Sequence, residues 1–316
     1  LDKSILHMID NNISTNYSSL IEKTIKHMIT LSIEWDITNK TYLYTFSKTI
    51  GKITKNFSYD NYPKWIDEYF PIIESIFTEV TNNTINITES HKFIEALMIL
   101  YNNLFTKELI RENRPVIYRS QKSSDKKTII KGELGKFLNI LYSNSAEYTV
   151  DYNFHSSLNM FNYTHATSPI RRVIDLINQS LLHGDLEFIK NFDLVEINIY
   201  SKKLKKFYRK VNKLKLAKTV YDNNYKSLEC FIYGYTDTKL DIYFPEYKFN
   251  IRQKLLDSRI IDKFNVMYND DSLTITNNET KDTREIIFNK KILVKLTGRP
   301  NIFDIENSIR IDFDDV

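Results

Sequence analysis

The sequence predicts an α+β protein, in which a helix-rich segment over residues 1–220 precedes a small β-barrel over residues 221–316. Two observations carry this prediction. Long stretches of the first segment place apolar residues at three- and four-residue spacing, and the chain changes to short alternating strands after about residue 220. With 42% hydrophobic and 27% charged residues, the chain has the composition of a globular protein that can bury a core.

Helices are expected over residues 1–35, because apolar side chains recur there every three or four residues. These positions are Ile5, Met8, Ile9, Leu20, Ile21, Ile25 and Met28. Residues 40–90 are rich in aromatic side chains, and Pro63 and Pro71 punctuate a further helical stretch, EYFPIIESIFTEV.

The clearest long helix is predicted for the stretch TESHKFIEALMILYNNLFTKELIREN, with Thr88 or Ser90 as its N-cap. Its expected buried stripe consists of Phe93, Ile94, Leu97, Met98, Tyr101, Leu104 and Phe105. A short strand, PVIYRS, should follow, and residues 132–150 should be a helix and then extended chain.

The stretch NYTHATSPIRRVIDLINQSLL predicts another helix, which begins near Pro169 with Thr167 or Ser168 as its N-cap. Two interpretations are open for the arginines beside this turn. An arginine next to free helix amides can hold a phosphate or carboxylate. Alternatively, both arginines are solvated and one pairs with Asp175, three or four residues further along the helix.

A basic helix, SKKLKKFYRKVNKLKLAKTV, should come next, with lysines and arginine on all but its apolar side. Those cations would track a nucleic-acid backbone, or they are a solvated surface whose side-chain stems cover apolar neighbours. Five short strands then follow, SLECFIYGY, KLDIYFPEY, SLTITN, KKILVKLTG and SIRIDF, and they suggest a barrel of the OB type.

The net charge and the single cysteine say more about the compartment of the protein than about its function. The net charge is only +4, so a case for nucleic acid must rest on how the charges are distributed. Cys230 is the single cysteine, which indicates the cytoplasm or another reducing intracellular compartment, including a viral or organellar one. No apolar run approaches the ~20 residues that a membrane-spanning helix needs, so no membrane partner is expected.

The stretch from Tyr163 to Leu176 resembles the signature of the ribonuclease II/ribonuclease R (RNB) exoribonuclease family, roughly Y-[TA]-H-F-T-S-P-I-R-R-Y-x-D-L-x-V-H-R. The matching residues are Tyr163, Thr164, His165, Thr167, Ser168, Pro169, Ile170, Arg171, Arg172, Asp175 and Leu176. The similarity continues upstream, where Ala146, Tyr148, His155 and Leu158 match a preceding family motif.

Two more segments resemble the family in order and spacing. The stretch SHKFIEALMILYNN, followed by RPVIYR, is similar to the family's S-H-x-x-[IV]-E-E-x-M helix and the strand after it. The stretch LECFIYGYTDTKLDIYFPEYKF is similar to the start of the family's C-terminal OB-type RNA-binding domain. The resemblance covers about residues 88–316. It implies a C-terminal portion of an RNB-like nuclease domain over residues 1–220 and an OB-fold RNA-binding domain over residues 221–316.

The resemblance implies a 3′→5′ exoribonuclease that hydrolyses single-stranded RNA to nucleoside 5′-monophosphates with Mg²⁺. Arg171 is the expected clamp on the scissile phosphate, and Glu95 is the expected catalytic carboxylate. The expected RNA-binding residues are Tyr148, His155, Tyr163, His165, Thr167, Ser168, Arg172, Lys206 and Arg209. Structural roles stay open for several of them: a solvated carboxylate at Glu95, a satisfied histidine at His155, and core tyrosines at Tyr148 and Tyr163.

The metal ligands of the family are missing from this pattern, so no metal-ligating residue is predicted. The family holds Mg²⁺ with a D-x-D-D cluster upstream of the E-E-x-M helix, where this chain has only scattered aspartates. The one D-x-D-D pattern is DFDDV at Asp312, Asp314 and Asp315. It would be the cluster in a circularly permuted chain, but it is more simply the acidic end of a last strand.

Two hypotheses follow. The chain is the C-terminal part of an exoribonuclease that an upstream segment or a second chain completes with the acidic cluster. Alternatively, it is a catalytically inactive relative that serves as an RNA-binding or structural subunit of a larger assembly.

Overall fold

The structure is a computed structural model that describes residues 7–126, 128–187, 192–224, 226–236, 239–254, 264–305 and 308–312. Two compact units are distinguished within it. The first contains the described residues up to Ser123 together with Asn144–Asn198, and the second contains Ser124–Ser143 together with those from Ile199 onward. The predicted division at residue 220 into a nuclease portion and an OB domain stays a prediction.

The first unit contains a long antiparallel hairpin, which corrects the expectation of a helix at residues 25–35, while residues 1–6 lie outside the described residues. After a π-helical turn at Ile13–Ser18, strand β1 (Ile25–Asp36) pairs along its full length with β2 (Thr41–Lys52). Alternate apolar residues of β1 determine how the hairpin packs. Leu31, Ile33 and Trp35 face one side of the sheet and pack against the core. The three-residue spacing near Met28 was therefore coincidental.

Two helices cover that face of the hairpin. They are α1 (Phe70–Thr81) and α2 (Ser90–Arg111). The residue at the N-cap position of α2 is Glu89, without a side-chain cap bond, so neither Thr88 nor Ser90 has the predicted role. Leu104 and Phe105 of the predicted buried stripe are fully buried, but its other five residues are only partly buried. Leu100 and Leu109 are fully buried in addition.

The predicted strand after α2 is confirmed as β3 (Tyr118–Ser120), which pairs antiparallel with β4 (Glu147–Thr149). Helix α3 (Gly132–Tyr142) lies between them in sequence and belongs to the second unit. Helix α4 (Val173–Leu182) packs with the β3–β4 region and α2 around a core that includes Phe105, Ile174 and Ile177.

The basic stretch is helical, as predicted, within α5 (Leu194–Asp222). The strands after it are β5 (Lys226–Thr236), β6 (Lys239–Phe244), β7 (Phe249–Lys254), β8 (Phe264–Tyr268), β9 (Ser272–Asn277), β10 (Thr283–Ile287), β11 (Lys291–Gly298) and β12 (Ile309–Asp312).

The α+β class is confirmed, but the five-stranded barrel is not. The five predicted strands are present as β5, β6, β9, β11 and β12, and the described chain contains three more, β7, β8 and β10. They form two open sheets, a five-stranded one in the order β12-β11-β5-β6-β7 and a three-stranded one in the order β10-β9-β8. The shared core of these strands includes Leu228, Ile242 and Leu273.

Within the described ranges, no helix combines the length and the apolar character that crossing a bilayer requires.

Candidate functional site

The Thr-Ser-Pro corner is a tight turn in front of α4 rather than its first helical turn. The backbone amides of Arg171 and Arg172 both donate to the carbonyl of Ser168, at 3.2 and 3.0 Å, and α4 begins at Val173. Arg172 is at the N-cap position in an extended conformation, with φ −133° and ψ 115°, and makes no side-chain cap bond. The prediction that the helix begins at Pro169 with Thr167 or Ser168 as N-cap is therefore wrong.

Asp175 holds this turn in place from the first turn of α4. Its carboxylate is fully buried, and Oδ1 accepts hydrogen bonds from the amide of Ser168 at 2.7 Å and from Nη2 of Arg172 at 2.8 Å. The other oxygen, Oδ2, is buried without a hydrogen-bond partner among the residues described. Burial raises the pKa of Asp175 above its usual value, although Arg172 and the Ser168 amide act in the opposite direction. The expected i, i+3 pairing of an arginine with Asp175 is confirmed for Arg172.

Two buried asparagines fix the chain between Tyr163 and Ala166. Asn102 on α2 accepts from the amide of Ala166 at 2.9 Å and donates to the Tyr163 hydroxyl at 3.2 Å. Asn178 on α4 accepts from the amide of Ile117 at 3.1 Å and donates to Thr164 Oγ1 at 2.7 Å. Because buried polar groups are costly when unpaired, these bonds define one arrangement of the corner.

Tyrosines and histidines form a connected cluster behind the corner. The Tyr148 hydroxyl and Nδ1 of His165 are 2.8 Å apart, and the Tyr163 ring meets His165 edge-on at 5.7 Å. His155 also meets Tyr163 edge-on, at 5.5 Å between ring centroids. The Arg119 guanidinium lies over the Tyr148 ring, 4.4 Å from its centroid. This is cation–π geometry, and it joins a second arginine to the cluster.

The electrostatics of the cluster keep both histidines neutral near pH 7. Burial, together with the charges of Arg172 and Arg119, lowers the pKa of His165 to about 2. Burial and the charge of Arg119 lower the pKa of His155 to about 4. The pKa of Arg119 is also lowered, first by burial and then by Arg172. The cluster therefore carries its positive charge on arginines.

Of the predicted RNA-binding residues, the structure brings together Tyr148, His155, Tyr163, His165, Thr167, Ser168 and Arg172. The predicted phosphate clamp, Arg171, is exposed beside them, with Nη2 3.5 Å from the Ser168 hydroxyl. Tyr148 and Tyr163 are themselves buried, at 9% and 8% exposure.

Glu95 lies outside this cluster. Glu95 is exposed on α2 and pairs with Lys92 at 2.6 Å. It is seven residues from Asn102, or about 10 Å along the helix axis. Lys206 and Arg209 are exposed on α5.

Arg119, Asn102 and Asn178 were not predicted as site residues. Arg119 and Asn102 belong to the quoted motifs, so the signal was present. Asn178 departs from the family pattern, and its only signal is a polar residue on the apolar side of α4.

The residues at the corner do not fit a magnesium pair. Among the described residues, no group of three or more histidine, cysteine, aspartate or glutamate side chains is placed to hold a metal ion. Asp175 is the buried carboxylate here, and one of its oxygens is committed to Arg172 and Ser168. Asp314 and Asp315 of the DFDDV stretch lie outside the described residues.

A pocket of about 1090 Å³ borders the same corner. Its walls are mainly apolar, and they come from the hairpin and the segment before it on one side and from the corner and α4 on the other. The lining residues include Tyr17, His27, Met28, Ile29, Lys48, Tyr101, Thr167, Pro169, Ile170, Leu176 and His183. Thr167 belongs to both features, because its hydroxyl accepts a bond of 3.2 Å from Arg172.

Residues 70–187 match the family model of the RNB domain. The match begins upstream of residue 88, the residue at which the motif resemblance begins. Ribonuclease R of Buchnera aphidicola subsp. Acyrthosiphon pisum (strain APS) is 28% identical over 174 residues, which are 44% of this chain and 23% of that protein.

Solved structures show that the fold is that of ribonuclease R. Mycoplasma genitalium RNase R, in complex with ribose-methylated single-stranded RNA, is 16% identical and superposes with a TM-score of 0.68 over 96% of this chain and 60% of its own. The Dss1 exoribonuclease of Candida glabrata, an active-site mutant, gives 15% identity and 0.59 over 88% and 42%. Yeast Ssd1, a pseudonuclease, gives 12% and 0.56 over 88% and 43%. The chain thus spans less than two thirds of these relatives.

Proposed function

We propose that this chain binds single-stranded RNA through the corner at residues 163–175, with the arginines facing the phosphates. The observation that carries the proposal is the charge of the corner. Arg119, Arg171 and Arg172 are gathered around neutral histidines and one buried carboxylate, Asp175. Arginine forks match phosphate oxygens, and a weakly hydrated, half-buried site strengthens that attraction. The RNA held by a relative of the same fold supports the same ligand.

The neighbouring pocket adds a second feature that suits RNA. Its apolar walls and size are those of a small-molecule site, and Tyr101 offers an aromatic face for a base. Lys48 and His27 supply polar edges at the hairpin side. Lys206 and Arg209 on α5 are proposed to contact the RNA backbone.

Hydrolysis in the 3′→5′ direction, with release of nucleoside 5′-monophosphates, is the activity proposed for a completed enzyme. In it, Arg171 would contact the scissile phosphate and Glu95 would support the last nucleotides. Magnesium would need carboxylates from residues outside the described ranges, from an upstream segment or from a second chain.

A catalytically inactive RNA-binding or structural subunit is the second candidate. It is favoured by the misfit between the corner and a metal pair, and by the likeness to a pseudonuclease of the same fold. An inactive RNA-binding subunit differs from the exoribonuclease only in hydrolysis, whereas a purely structural subunit would lack RNA binding as well.

Fluorescence anisotropy with a labelled single-stranded RNA tests binding, and decay of the same RNA in Mg²⁺ tests hydrolysis. We expect binding by the chain alone, weakened about tenfold by Arg171→Gln, since one charge-assisted contact is worth about 1.5 kcal/mol. Lys64→Gln, an exposed cation outside the corner, is the matched control and should leave affinity unchanged.

No RNA binding, or equal loss in both variants, would remove the proposed function. Magnesium-dependent decay by the isolated chain would reject the inactive candidate and would point to metal ligands outside the described residues.

A further inference from the structure

Helix α5 is exposed on all sides over residues 202–210 and becomes buried only toward its C-terminal end. Leu216, Ala217 and Val220 belong to the core of the second unit and hold that end in place. In the exposed segment, Phe207 and Tyr208 are 59% and 57% exposed, and their ring centroids are 6.2 Å apart. Two adjacent aromatic rings in water are unusual on a surface that binds nothing.

The exposed segment is strongly cationic. Residues 197–221 contain no aspartate or glutamate, and the cations among them are Lys202, Lys203, Lys205, Lys206, Arg209, Lys210, Lys213, Lys215 and Lys218. Lys203, Lys206 and Lys210 are exposed, and none of the three forms an ion pair with a residue that the structure describes. A ligand that covers this part of α5 should therefore be anionic.

Helical geometry places Phe207 between two of these lysines. Lys203, four residues earlier, and Lys210, three residues later, lie on the same side of the helix as Phe207, with Cβ atoms about 5–6 Å from its own. Lys206 is three residues after Lys203 and four before Lys210, so the three lysines form one continuous row beside the ring. The ring and the cations are thus close enough to contact one nucleotide strand together.

We propose that Phe207 stacks on a base of single-stranded RNA, while Lys203 and Lys210 contact the phosphates on either side of that base. The proposal rests on the proposed RNA binding and adds a contact to the base itself. Every base has a π-face, so this contact carries no sequence preference. Because α5 is anchored in a core, the ring and its lysines are arranged before the RNA arrives, which lowers the entropy cost of binding.

RNA fits this surface better than an anionic membrane does. A helix that lies on a membrane separates its apolar face from its cationic face. On α5, Phe207 instead alternates with Lys203 and Lys210 along one edge of the helix. Single-stranded RNA has the matching alternation, with a negative phosphate and a flat base in each nucleotide.

The test compares two fluorescently labelled strands of equal length and charge. One is single-stranded RNA, and the other is a ribose-phosphate strand without bases. Affinities are measured by anisotropy at several salt concentrations. Phe207→Leu keeps the apolar volume and removes the aromatic face, so it should weaken RNA binding about tenfold and leave the affinity for the abasic strand unchanged. Phe207→Trp should retain the wild-type affinity for RNA.

The lysines should behave in the opposite way. The double variant Lys203→Gln and Lys210→Gln should weaken binding of both strands, and it should reduce the slope of log affinity against log salt concentration by about 1.4. Phe207→Leu should leave that slope unchanged, because a stacking contact releases no counterions from the RNA.

Two exposed aromatic residues provide matched controls. Phe303→Leu removes an aromatic ring that is 93% exposed and is followed by Asp304, and it should bind both strands as the wild type does. Tyr208→Leu tests the position, since the facing neighbours of Tyr208 include one cation, Lys205, where those of Phe207 include two. It should weaken RNA binding less than Phe207→Leu does.

Circular dichroism checks that each variant is folded. If Phe207→Leu does not fold, the salt slope of the double lysine variant and the wild-type preference for RNA over the abasic strand decide. Equal affinity of the wild type for the two strands would overturn the inference and leave the proposed function standing. Unchanged RNA binding in Phe207→Leu, or an equal loss for both strands, would do the same.

Vesicles of phosphatidylcholine and phosphatidylserine test the other anionic surface. Sedimentation with these vesicles that is lost in Phe207→Leu, while RNA binding is not, would assign the exposed segment to a membrane and overturn the inference. Failure of the wild type to bind any RNA would instead reject the proposed function.

Discussion

Arg171 and Arg172 are adjacent in sequence but have different environments. Arg171 is exposed and weakly held, whereas Arg172 is bonded to a fully buried carboxylate. The sequence alone did not establish which of the two arginines pairs with Asp175. The structure separates a residue that is free to meet a ligand from one that also stabilises the turn.

Arg172→Ala should lower the free energy of unfolding by about 3 kcal/mol, because Asp175 would be left buried and unpaired. Arg171→Ala should change it by no more than about 0.5 kcal/mol, as expected for an exposed side chain. Urea denaturation of the two variants and the wild type measures both values. Equal losses would contradict the assignment of Arg172 as the partner of Asp175.

His165 should make stability fall as the pH is lowered. The unfolded chain binds a proton at this histidine near pH 6.5, while the folded chain keeps it neutral down to about pH 2. The group therefore costs stability as the pH falls through 6.5, in a window that ends only near pH 2. His165→Asn keeps a hydrogen-bonding atom near the position of Nδ1 and removes this titration.

Between pH 7.5 and 5.5, His165→Asn should lose about 1.3 kcal/mol less stability than the wild type. Urea denaturation at both pH values measures the difference. His91→Asn is the control, since His91 is exposed and stacked on Tyr59, and it should follow the wild type. A wild-type pH dependence in His165→Asn would show that the histidine is protonated in the folded protein.

Among the secondary-structure elements, α5 and β11 approach each other closely at Gly298. A Cβ atom at Gly298 would lie 2.4 Å from the carbonyl oxygen of Ala217 on α5. Glycine is required here by space, because backbone atoms on the helix cannot move away as a flexible side chain can. Gly234, on β5 of the same sheet, has no such constraint, and its nearest atom would be Asp241 Oδ2 at 3.4 Å.

Gly298→Ala should therefore destabilise the second unit by about 1–3 kcal/mol. Gly234→Ala should be neutral, or stabilising by up to about 1 kcal/mol, through the lower entropy of the unfolded chain. Thermal or urea unfolding of the matched pair measures the contrast. If both variants unfold alike, α5 and β11 are further apart than described.

The sequence predicted helices well where an element has one strong pattern. α2 and the basic part of α5 are long, and each has many apolar residues at helical spacing. β1 was not predicted because its residues fit two patterns. Ile25 and Met28 have a helical spacing, whereas Leu31, Ile33 and Trp35 alternate as in a strand. The pairing with β2 decides in favour of the strand. The added strands β7, β8 and β10 are short, and their identity depends on partners that are distant in sequence.

The sequence predicted part of the candidate site. The motif found Arg172, His165 and Tyr163, because each contributes chemistry that the family pattern preserves. It gave no account of Arg119, whose guanidinium lies over the Tyr148 ring. Which of the two adjacent arginines is the more buried depends on the residue at which α4 begins. The turn before α4 is held by Asp175, which accepts from the Ser168 amide, so the sequence does not show where the helix begins.

At the scale of the whole molecule, the small net charge of +4 conceals an uneven distribution. Cations are concentrated on α5, where Lys206 and Arg209 are exposed. If α5 contacts the RNA backbone, binding should depend strongly on salt because bound counterions are released from the RNA.

The double variant Lys206→Gln and Arg209→Gln should reduce the slope of log affinity against log salt concentration by about 1.4, or about 0.7 per phosphate contact on a single strand. Anisotropy titrations at several salt concentrations measure the slope, and Lys64→Gln should leave it unchanged. An unchanged slope in the double variant would mean that these residues are a solvated surface.

The side-chain hydrogen bonds of Asn102 and Asn178 affect how this corner can diverge during evolution. Because buried carboxamides on two helices set the backbone from Tyr163 to Ala166, the shape of the corner does not depend on a bound metal or on turnover. Selection for catalysis can therefore relax without loss of the corner's geometry. Substitutions at its exposed positions are then free to alter which ligand is captured, while replacement of either asparagine would be purged for its effect on folding alone.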